Sequence, residues 1–467
     1  MSARWIDRLL EVGLGAVVVL APLPFASVGA GGRLALEMAA FALLLVWGLA
    51  AWTGPFAVPP KRVLGLLGGL LLLGSLQTIP IPDTLIRFVS PQTVAVTEST
   101  LPDAAALEAE TGLLGVAPST LDARPTLSVE PGATASALRM GAALCALLIV
   151  ASHVAATRGI RALCRMLLVS AAFQALYGLI VLASGHDRIW NIPKKAYLDS
   201  ATGTFVNRNH FADYLAMTLP CGAALWIAGL RRAPAKQRWF LRTFGGEGSR
   251  NLIVLLALLI GLAGLWVSFS RAGIALGVAA VGATVWLGTR FRPPTIRFVI
   301  VALALAIALI PLAQLGADTL WERFERSTDD FSSPGNRGTV WGDTLDLARA
   351  FPVLGSGFGT FAAIYPKYRS PEVRFLYIHA HNDLLQFFAE GGAVGGILLL
   401  SLVALLSRRL FAALRGELGT LGIGAGVGLS AALLHALIDF NFHLPANAAL
   451  AVVLAGSLWG LPSKNAN

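Results

Sequence analysis

The chain has 467 residues and a net charge of +10, and 56% of its residues are hydrophobic while only 13% are charged. A soluble globular domain carries roughly 25% charged residues, so the composition excludes a soluble protein and indicates a polytopic membrane protein. Lys and Arg are spread through short loops between apolar runs, which is the pattern that orients membrane helices. The positive charge therefore does not indicate a nucleic-acid partner, and the expected surroundings are membrane lipids.

Apolar runs long enough to cross a bilayer recur along the chain. A hydrocarbon core about 30 Å thick takes about 20 apolar residues in a helix, and in lipid the backbone must be hydrogen-bonded within the segment. The pattern predicts an all-α polytopic membrane protein, a single transmembrane domain over 1–467 with about 12 helices. The predicted spans are 10–30, 33–53, 62–80, 135–156, 161–184, 208–230, 251–269, 272–290, 297–316, 382–406, 416–438 and 445–461.

Two long connections interrupt these spans. With the N-terminus in the cytoplasm, the short loops rich in Lys and Arg lie inside and both termini are cytoplasmic. The first long loop, 81–134, is rich in Pro, Ser and Thr, and the larger one, 317–381, lies between the ninth and tenth predicted helices. Both are then expected in the periplasm.

The sequence gives little support for a metal or a cofactor. Cys145, Cys164 and Cys221 lie in or beside apolar runs and lack metal-ligand spacing. The adjacent carboxylates Asp329 and Asp330 are weak evidence for a cation site. We therefore expect neither a metal nor a cofactor.

Polar residues that membrane packing does not require collect at the predicted outer ends of the helices. Such groups are costly in lipid and commonly mark function. In chain order they are Asn207, Arg208, Asn209 and His210; Ser270 and Arg271; Arg337; His379, His381 and Asn382; and His435, Asp439 and His443.

Arg271 follows Ser270 in what the pattern predicts to be a tight turn between two spans. Such a turn needs no cation, and one alternative is that Arg271 merely reaches the outer headgroups. Arg208 has the same alternative. Two arginines at one depth would suit a diphosphate, because guanidinium groups stay charged and bind phosphate oxygens in pairs.

His381 is a candidate general base, since imidazole ordinarily titrates between pH 5 and 8. The alternative is a helix-cap or packing histidine. Glu390 lies nine residues further on, so on a helix it points about 180° away and roughly 13 Å deeper. We expect Glu390 to pair with another helix, and Asp439 to be a better partner for His381 if its helix packs nearby.

Two smaller patterns predict local structure. The three glycines Gly355, Gly357 and Gly359 follow no strand, so they predict a tight turn and not a nucleotide-binding fingerprint. Glu37 lies one turn after Arg33 and is expected to form a local ion pair.

A set of motifs in the second half of the chain has a recognisable spacing: Arg337 with Trp341; Pro352, Gly355, Gly357, Gly359 and Phe361; Tyr365; and His381–Asn382 with Leu385, Glu390, Gly392 and Gly395. Together these motifs resemble the O-antigen ligase and polymerase family. Asn207 to His210, Ser270–Arg271, and Asp439–Phe440 with His443 look like further positions of the family, so the resemblance covers roughly residues 200–460.

The resemblance implies a glycosyltransferase of the bacterial inner membrane with its active site at the periplasmic face. It would move a glycan from undecaprenyl diphosphate to a hydroxyl of lipid A-core, with inversion and without a metal. Arg208 and Arg271 would hold the diphosphate and His381 would deprotonate the acceptor. The other expected substrate-binding residues are Asn207, His210, Ser270, Arg337, Tyr365, Asn382, Asp439 and His443.

Two alternatives stay open. A polymerase that joins carrier-linked repeat units uses the same donor chemistry with a glycan acceptor, and the long loop 81–134 resembles polymerase relatives. A lipid or polysaccharide transporter would line its path with the same arginines. Transporters often contain inverted repeats and helices broken at mid-membrane, whereas here no repeat is found and the polar groups gather at one face.

Overall fold

The computed structural model describes residues 2–54, 56–100, 125–232, 246–290, 293 and 335–463. Over these residues the chain is helical apart from one short antiparallel hairpin, β1 (Arg188–Ile189) with β2 (Ile192–Pro193), and a single bridge between Pro80 and Thr126. The predicted all-α class is confirmed. The predicted span 297–316 and the pair Asp329–Asp330 lie outside the described residues.

The helices include two short 3₁₀ segments, Phe25–Ser27 and Asn441–His443. In chain order the α-helices are α1 (Ser2–Leu20), α2 (Ala30–Thr53), α3 (Lys61–Thr78), α4 (Asp83–Val89), α5 (Pro91–Thr100), α6 (Pro131–Arg158), α7 (Arg161–Ser184), α8 (Arg208–Arg232), α9 (Gly246–Val267), α10 (Arg271–Gly288), α11 (Arg337–Ala350), α12 (Phe361–Tyr368), α13 (Asp383–Leu414), α14 (Gly419–His435) and α15 (Pro445–Gly460).

Seven of the described helices, α2, α6, α7, α8, α9, α10 and α13, are long and apolar enough to cross a membrane, and α14 and α15 are shorter apolar helices. The chain is therefore a helical membrane protein. The total of about 12 spans and their orientation remain predictions.

The first helix ends earlier than its predicted span of 10–30. α1 stops at Leu20 because Pro22 and Pro24 lack N–H groups and disfavour helical geometry in the residues before them. The chain then reverses through residues with positive φ, among them Ser27 at 59°.

The two predicted long loops are partly helical. α4, α5 and the start of α6 fall within 81–134, and α11 and α12 fall within 317–381. Pro91 and Pro131 each occupy the first position of a helix, where the missing N–H costs nothing and the fixed φ favours the helix start.

The chain divides into two compact units. The first comprises Met1–Lys61, Ala143–Ser327 and Ala404–Asn467. Its centre is α8, which is buried along nearly its whole length and contacts α7, α9, α10, α14 and α15.

Glycines allow α14 to approach α8 at backbone distance. A Cβ added at Gly428 would lie 2.3 Å from the carbonyl oxygen of Met217, and one added at Gly424 would lie 2.6 Å from that of Pro220. Small residues at such spacing let membrane helices pack closely, where dispersion and not the hydrophobic effect drives association. The glycine-rich sequence of α14 is thus explained by its contact with α8.

The second unit comprises Arg62–Ala142 and Thr328–Val403 and includes α3, α4, α5, α11, α12 and the first parts of α6 and α13. Its core lies around α11 and α12, where the rings of Phe361 and Tyr365 stack with centroids 4.9 Å apart. The buried members of this core are Val96, Val340, Leu347, Phe351, Phe361, Ile364, Tyr365, Val373, Ala380 and Ala389.

We expect Gly428→Ala to destabilise the protein, because the new methyl group must displace the backbone of α8. Overpacking of this kind costs about 1–3 kcal/mol, although alanine alone would favour the helix by about 1 kcal/mol. The measurement is the thermal unfolding midpoint in detergent. Gly48→Ala is the matched control, since a Cβ at Gly48 meets nothing within 4 Å. An equal midpoint for the two variants would contradict the packing account.

Candidate functional site

The first unit places Arg208 at the start of α8. Asn207 precedes the helix, and its side-chain oxygen accepts the backbone N–H of Asn209 at 2.8 Å. Its backbone carbonyl also accepts the N–H of Phe211 at 3.2 Å. Asn207 therefore caps α8, at the end of the helix where the backbone dipole favours an anion.

The guanidinium of Arg208 lies 5.3 Å from the ring centroid of Tyr197, a cation–π contact. Tyr197 has a φ of 58°, and the loop around it is held by Lys194. The ammonium of Lys194 donates to the carbonyls of Tyr197 at 2.7 Å and Ser200 at 2.8 Å. Burial lowers the pKa of Lys194, and the nearby carboxylate of Asp187 partly offsets this.

Arg271 begins α10 directly after its cap, Ser270. The Ser270 hydroxyl accepts the N–H of Gly273 at 3.3 Å. Since α9 ends at Val267, the connection is a three-residue turn, and Phe269 within it has a φ of 52°.

The starts of α8 and α10 pack against each other. A Cβ added at Gly273 would lie 2.3 Å from Cβ of Ala212. Ala212 is one turn after Arg208, and Gly273 is two residues after Arg271. Both arginines are therefore at the same end of the helices that carry them, and both lie at the N-terminus of a helix.

Asp439 faces the first turn of α8. Its carboxylate accepts the side-chain N–H of Asn209 at 3.0 Å, and its other oxygen lies 3.6 Å from Nε2 of His210. The His210 ring packs edge-on against Phe440 at 4.5 Å. Asp439 thus contacts α8, and its predicted pairing with His381 remains untested.

A second buried carboxylate, Asp213, lies one turn deeper on α8. It is 3.1 Å from Nδ1 of His435 and accepts the side-chain N–H of Asn447 at 3.1 Å. Asn447 also donates to the carbonyl of His210 at 3.0 Å. α14 ends at His435. Asp439 and His443 therefore lie in the turn and the 3₁₀ segment that follow, and not on the same helix as His435.

Sequence reasoning did not single out Asp213, although the signal was present. It is a lone carboxylate inside an apolar run, and charged residues in membrane segments are rarely without purpose. Its partners His435 and Asn447 come from far along the chain, so only the structure identifies them.

The second unit carries His381. Its φ is 52°, in the left-handed region that costs a residue with a side chain of order 1–3 kcal/mol. The ring lies edge-on to that of Tyr377 at 5.6 Å. Asn382 follows and caps α13, accepting the N–H of Leu385 at 3.0 Å on its side-chain oxygen. The cap role thus belongs to Asn382, and His381 precedes it.

The predicted glycine turn is confirmed: Gly355, Gly357 and Gly359 have φ of 75°, 112° and 78°. Its backbone N–H groups are occupied from within the chain, because the Glu390 carboxylate accepts those of Gly359 at 2.8 Å and Phe361 at 3.1 Å. The turn therefore does not offer these groups to a phosphate.

Glu390 was expected to pair with another helix, and it does so through backbone groups. Phe361 is the first residue of α12, so the carboxylate binds the positive end of that helix. α13 is interrupted at Gly392, where φ is 60° and ψ is −164°. There the N–H groups of Ala393 and Val394 bond to carbonyls of the segment before the turn.

Tyr365 is buried and its hydroxyl donates to Asp343 at 2.9 Å. Burial, and next the bonded carboxylate, raise the pKa of Tyr365 well above its usual value. Asp343 also accepts the backbone N–H of Ser370 at 3.1 Å. These contacts give Tyr365 a packing role, and its expected contact with substrate remains a prediction.

Arg337 is the first residue of α11, directly after Asn336. A cavity of about 490 Å³ opens beside it, lined by Gly335, Asn336, Pro371, Glu372, Arg374 and Phe375.

Among the described residues, no group of three or more His, Cys, Asp or Glu side chains is arranged to hold a metal ion.

The predicted ion pair between Arg33 and Glu37 is confirmed, with the two side chains 3.7 Å apart.

The predicted site residues thus fall into two sets. The first unit contains Asn207, Arg208, His210, Ser270, Arg271, Asp439 and His443, and the second contains Arg337, Tyr365, His381 and Asn382. That both sets serve one site is a prediction.

Residues 256–400 match the model of the O-antigen ligase family. This segment identifies an O-antigen ligase domain in the chain. The matched segment is just under a third of the chain, and it carries Arg271, Arg337, Tyr365 and His381 but neither Arg208 nor Asp439. No curated protein matches the chain at a significant level.

Asp213→Leu is expected to destabilise the protein by about 2 kcal/mol or more, because it removes the buried carboxylate that His435 and Asn447 contact. Thermal unfolding in detergent measures the effect. The control is Asp346→Leu, which removes a carboxylate that is 64% exposed and paired only on the surface with Arg349. Similar midpoints for the two variants would show that the buried cluster contributes nothing to stability.

Proposed function

We propose that the chain is an O-antigen ligase, which moves a glycan from undecaprenyl diphosphate to a hydroxyl of lipid A-core at the periplasmic face of the bacterial inner membrane. The family match supports a lipid-linked glycan as the substrate class. The observation that carries the proposal furthest is the close packing of two helix starts, each with an arginine at its first position, Arg208 and Arg271.

Such an arrangement suits a diphosphate. Guanidinium groups bind phosphate oxygens in pairs and stay charged, and the two helix N-termini add positive potential at the same place. Diphosphate gains negative charge as it leaves the anomeric carbon. Fixed cations that meet this charge stabilise the transition state more than the ground state.

His381 supplies the base. It accepts the proton of the acceptor hydroxyl while the oxygen forms its bond to the anomeric carbon. The bond from that carbon to the diphosphate oxygen breaks on the opposite side, and the carrier diphosphate leaves with the electron pair. One displacement of this kind inverts the anomeric centre and needs no metal. The strained φ of His381 supports such a role, since strain of this size collects at functional sites.

In a purified assay with undecaprenyl-diphosphate-linked glycan and lipid A-core, His381→Ala should lower the transfer rate by roughly 10²- to 10⁴-fold, the usual contribution of a general base. Arg271→Lys should lower it by roughly tenfold or more, because an ammonium cannot form the paired contact. The product is measured as glycan-modified lipid A-core by mass spectrometry.

Two matched control variants make the same substitutions, His to Ala and Arg to Lys, at exposed positions outside the proposed site. His186→Ala removes an exposed histidine, and Arg349→Lys alters an arginine that is 73% exposed. Both should transfer at the wild-type rate. Near-normal activity of His381→Ala and Arg271→Lys would overturn the proposed site, and transport of the donor without a new glycosidic bond would overturn the activity.

The alternative is a polymerase, which differs only in its acceptor. A cell without the gene should accumulate long carrier-linked glycan if the chain is a ligase. It should retain single repeat units if the chain is a polymerase. A gel of carrier-linked and lipid A-linked glycan distinguishes the two outcomes.

A further inference from the structure

His381 lies between two residues whose backbones are held by hydrogen bonds. The next residue in the chain, Asn382, caps α13. The residue before it, Ala380, donates its backbone N–H to the side-chain oxygen of Gln386 at 3.0 Å. Positive φ at a histidine persists only where its surroundings fix it, and these two bonds are fixed points directly before and after it.

Gln386 lies in the first turn of α13 and accepts this N–H from the segment before the helix. Its amide nitrogen also forms hydrogen bonds. The nitrogen donates to Oε1 of Glu390 at 3.0 Å and lies 3.3 Å from Nδ1 of His379. The side chain is almost completely buried. With its oxygen and nitrogen both bonded, the amide has one orientation.

Glu390 anchors the amide in turn. Its carboxylate accepts the two N–H groups of the glycine turn, and its backbone carbonyl accepts the side-chain N–H of Gln77 at 3.0 Å. Gln77 also binds the turn, since its oxygen accepts the N–H of Phe358 at 3.1 Å. The anchor is therefore tied to the backbone at several points.

Glu390 lies about two turns into α13, whereas His381 precedes the helix and its cap Asn382. Gln386 bridges that gap. We infer that Gln386, anchored by Glu390, is a positioning residue that sets the orientation of the His381 imidazole toward the acceptor hydroxyl. This inference rests on the proposed function, in which His381 is the base.

A positioning role predicts a loss of rate with little loss of binding. Gln386→Leu removes the hydrogen bonds of the side chain at similar volume. We expect kcat to fall by roughly 10- to 100-fold, because a displacement of about 1 Å at a reacting group costs that much. KM for undecaprenyl-diphosphate-linked glycan should stay within about twofold, since the arginines that bind it are unchanged.

The matched control is Gln92→Leu, which removes a glutamine bond to the Tyr368 hydroxyl in the same unit. It should keep the wild-type kcat. Gln386→Glu retains an acceptor for the Ala380 N–H, so its kcat should lie between those of wild type and Gln386→Leu. If Gln386→Leu fails to fold in detergent, the kcat and KM of Gln386→Glu decide the matter.

A double-mutant cycle separates positioning from general stability. In a His381→Ala background, Gln386→Leu should lower the residual rate no further, because the group that it positions is gone. The inference is overturned if Gln386→Leu keeps the wild-type kcat, or if it costs the same factor with and without His381. Full activity of His381→Ala would instead overturn the proposed base, and the inference with it.

Discussion

Buried carboxylates impose the constraint on which both units depend. In an apolar helical protein a buried carboxyl group must be hydrogen-bonded, or its burial costs several kcal/mol. Asp213 meets this requirement in the first unit through His435 and Asn447, from two later helices. Glu390 meets it in the second through the amides of the glycine turn and Gln386. Each carboxylate thereby fixes segments that are remote in sequence.

The hydrogen bonds that stabilise these buried carboxylates lie next to the candidate functional residues. The cluster around Asp213 lies directly beneath the helix start that carries Arg208, and the anchor at Glu390 leads through Gln386 to the backbone beside His381. In both units a buried, hydrogen-bonded carboxylate therefore supports the backbone near a candidate functional residue, which is Arg208 in the first unit and His381 in the second. Preorganised groups of this kind require no rearrangement when charge develops in a reaction.

Much of this could be predicted from the sequence, and the exceptions have physical causes. Hydropathy predicted the all-α membrane class, and spacing predicted the glycine turn and the pair of Arg33 with Glu37. The end of α1 was misplaced because its prolines act through local backbone geometry and not through hydropathy. The partners of Asp213 and the role of Gln386 depend on tertiary contacts, about which local pattern carries no information. The family likeness named candidate residues, but their grouping into one site remains a prediction.

The most direct test of the account asks whether Arg208, Arg271 and His381 face one compartment. Each is replaced singly by cysteine, as in Arg208→Cys, in a chain whose native Cys145, Cys164 and Cys221 are changed to serine. A membrane-impermeant thiol reagent is then applied to intact spheroplasts and to inverted vesicles. We predict that all three positions react from the periplasmic side. Labelling of any one of them only from the cytoplasmic side would contradict a shared site.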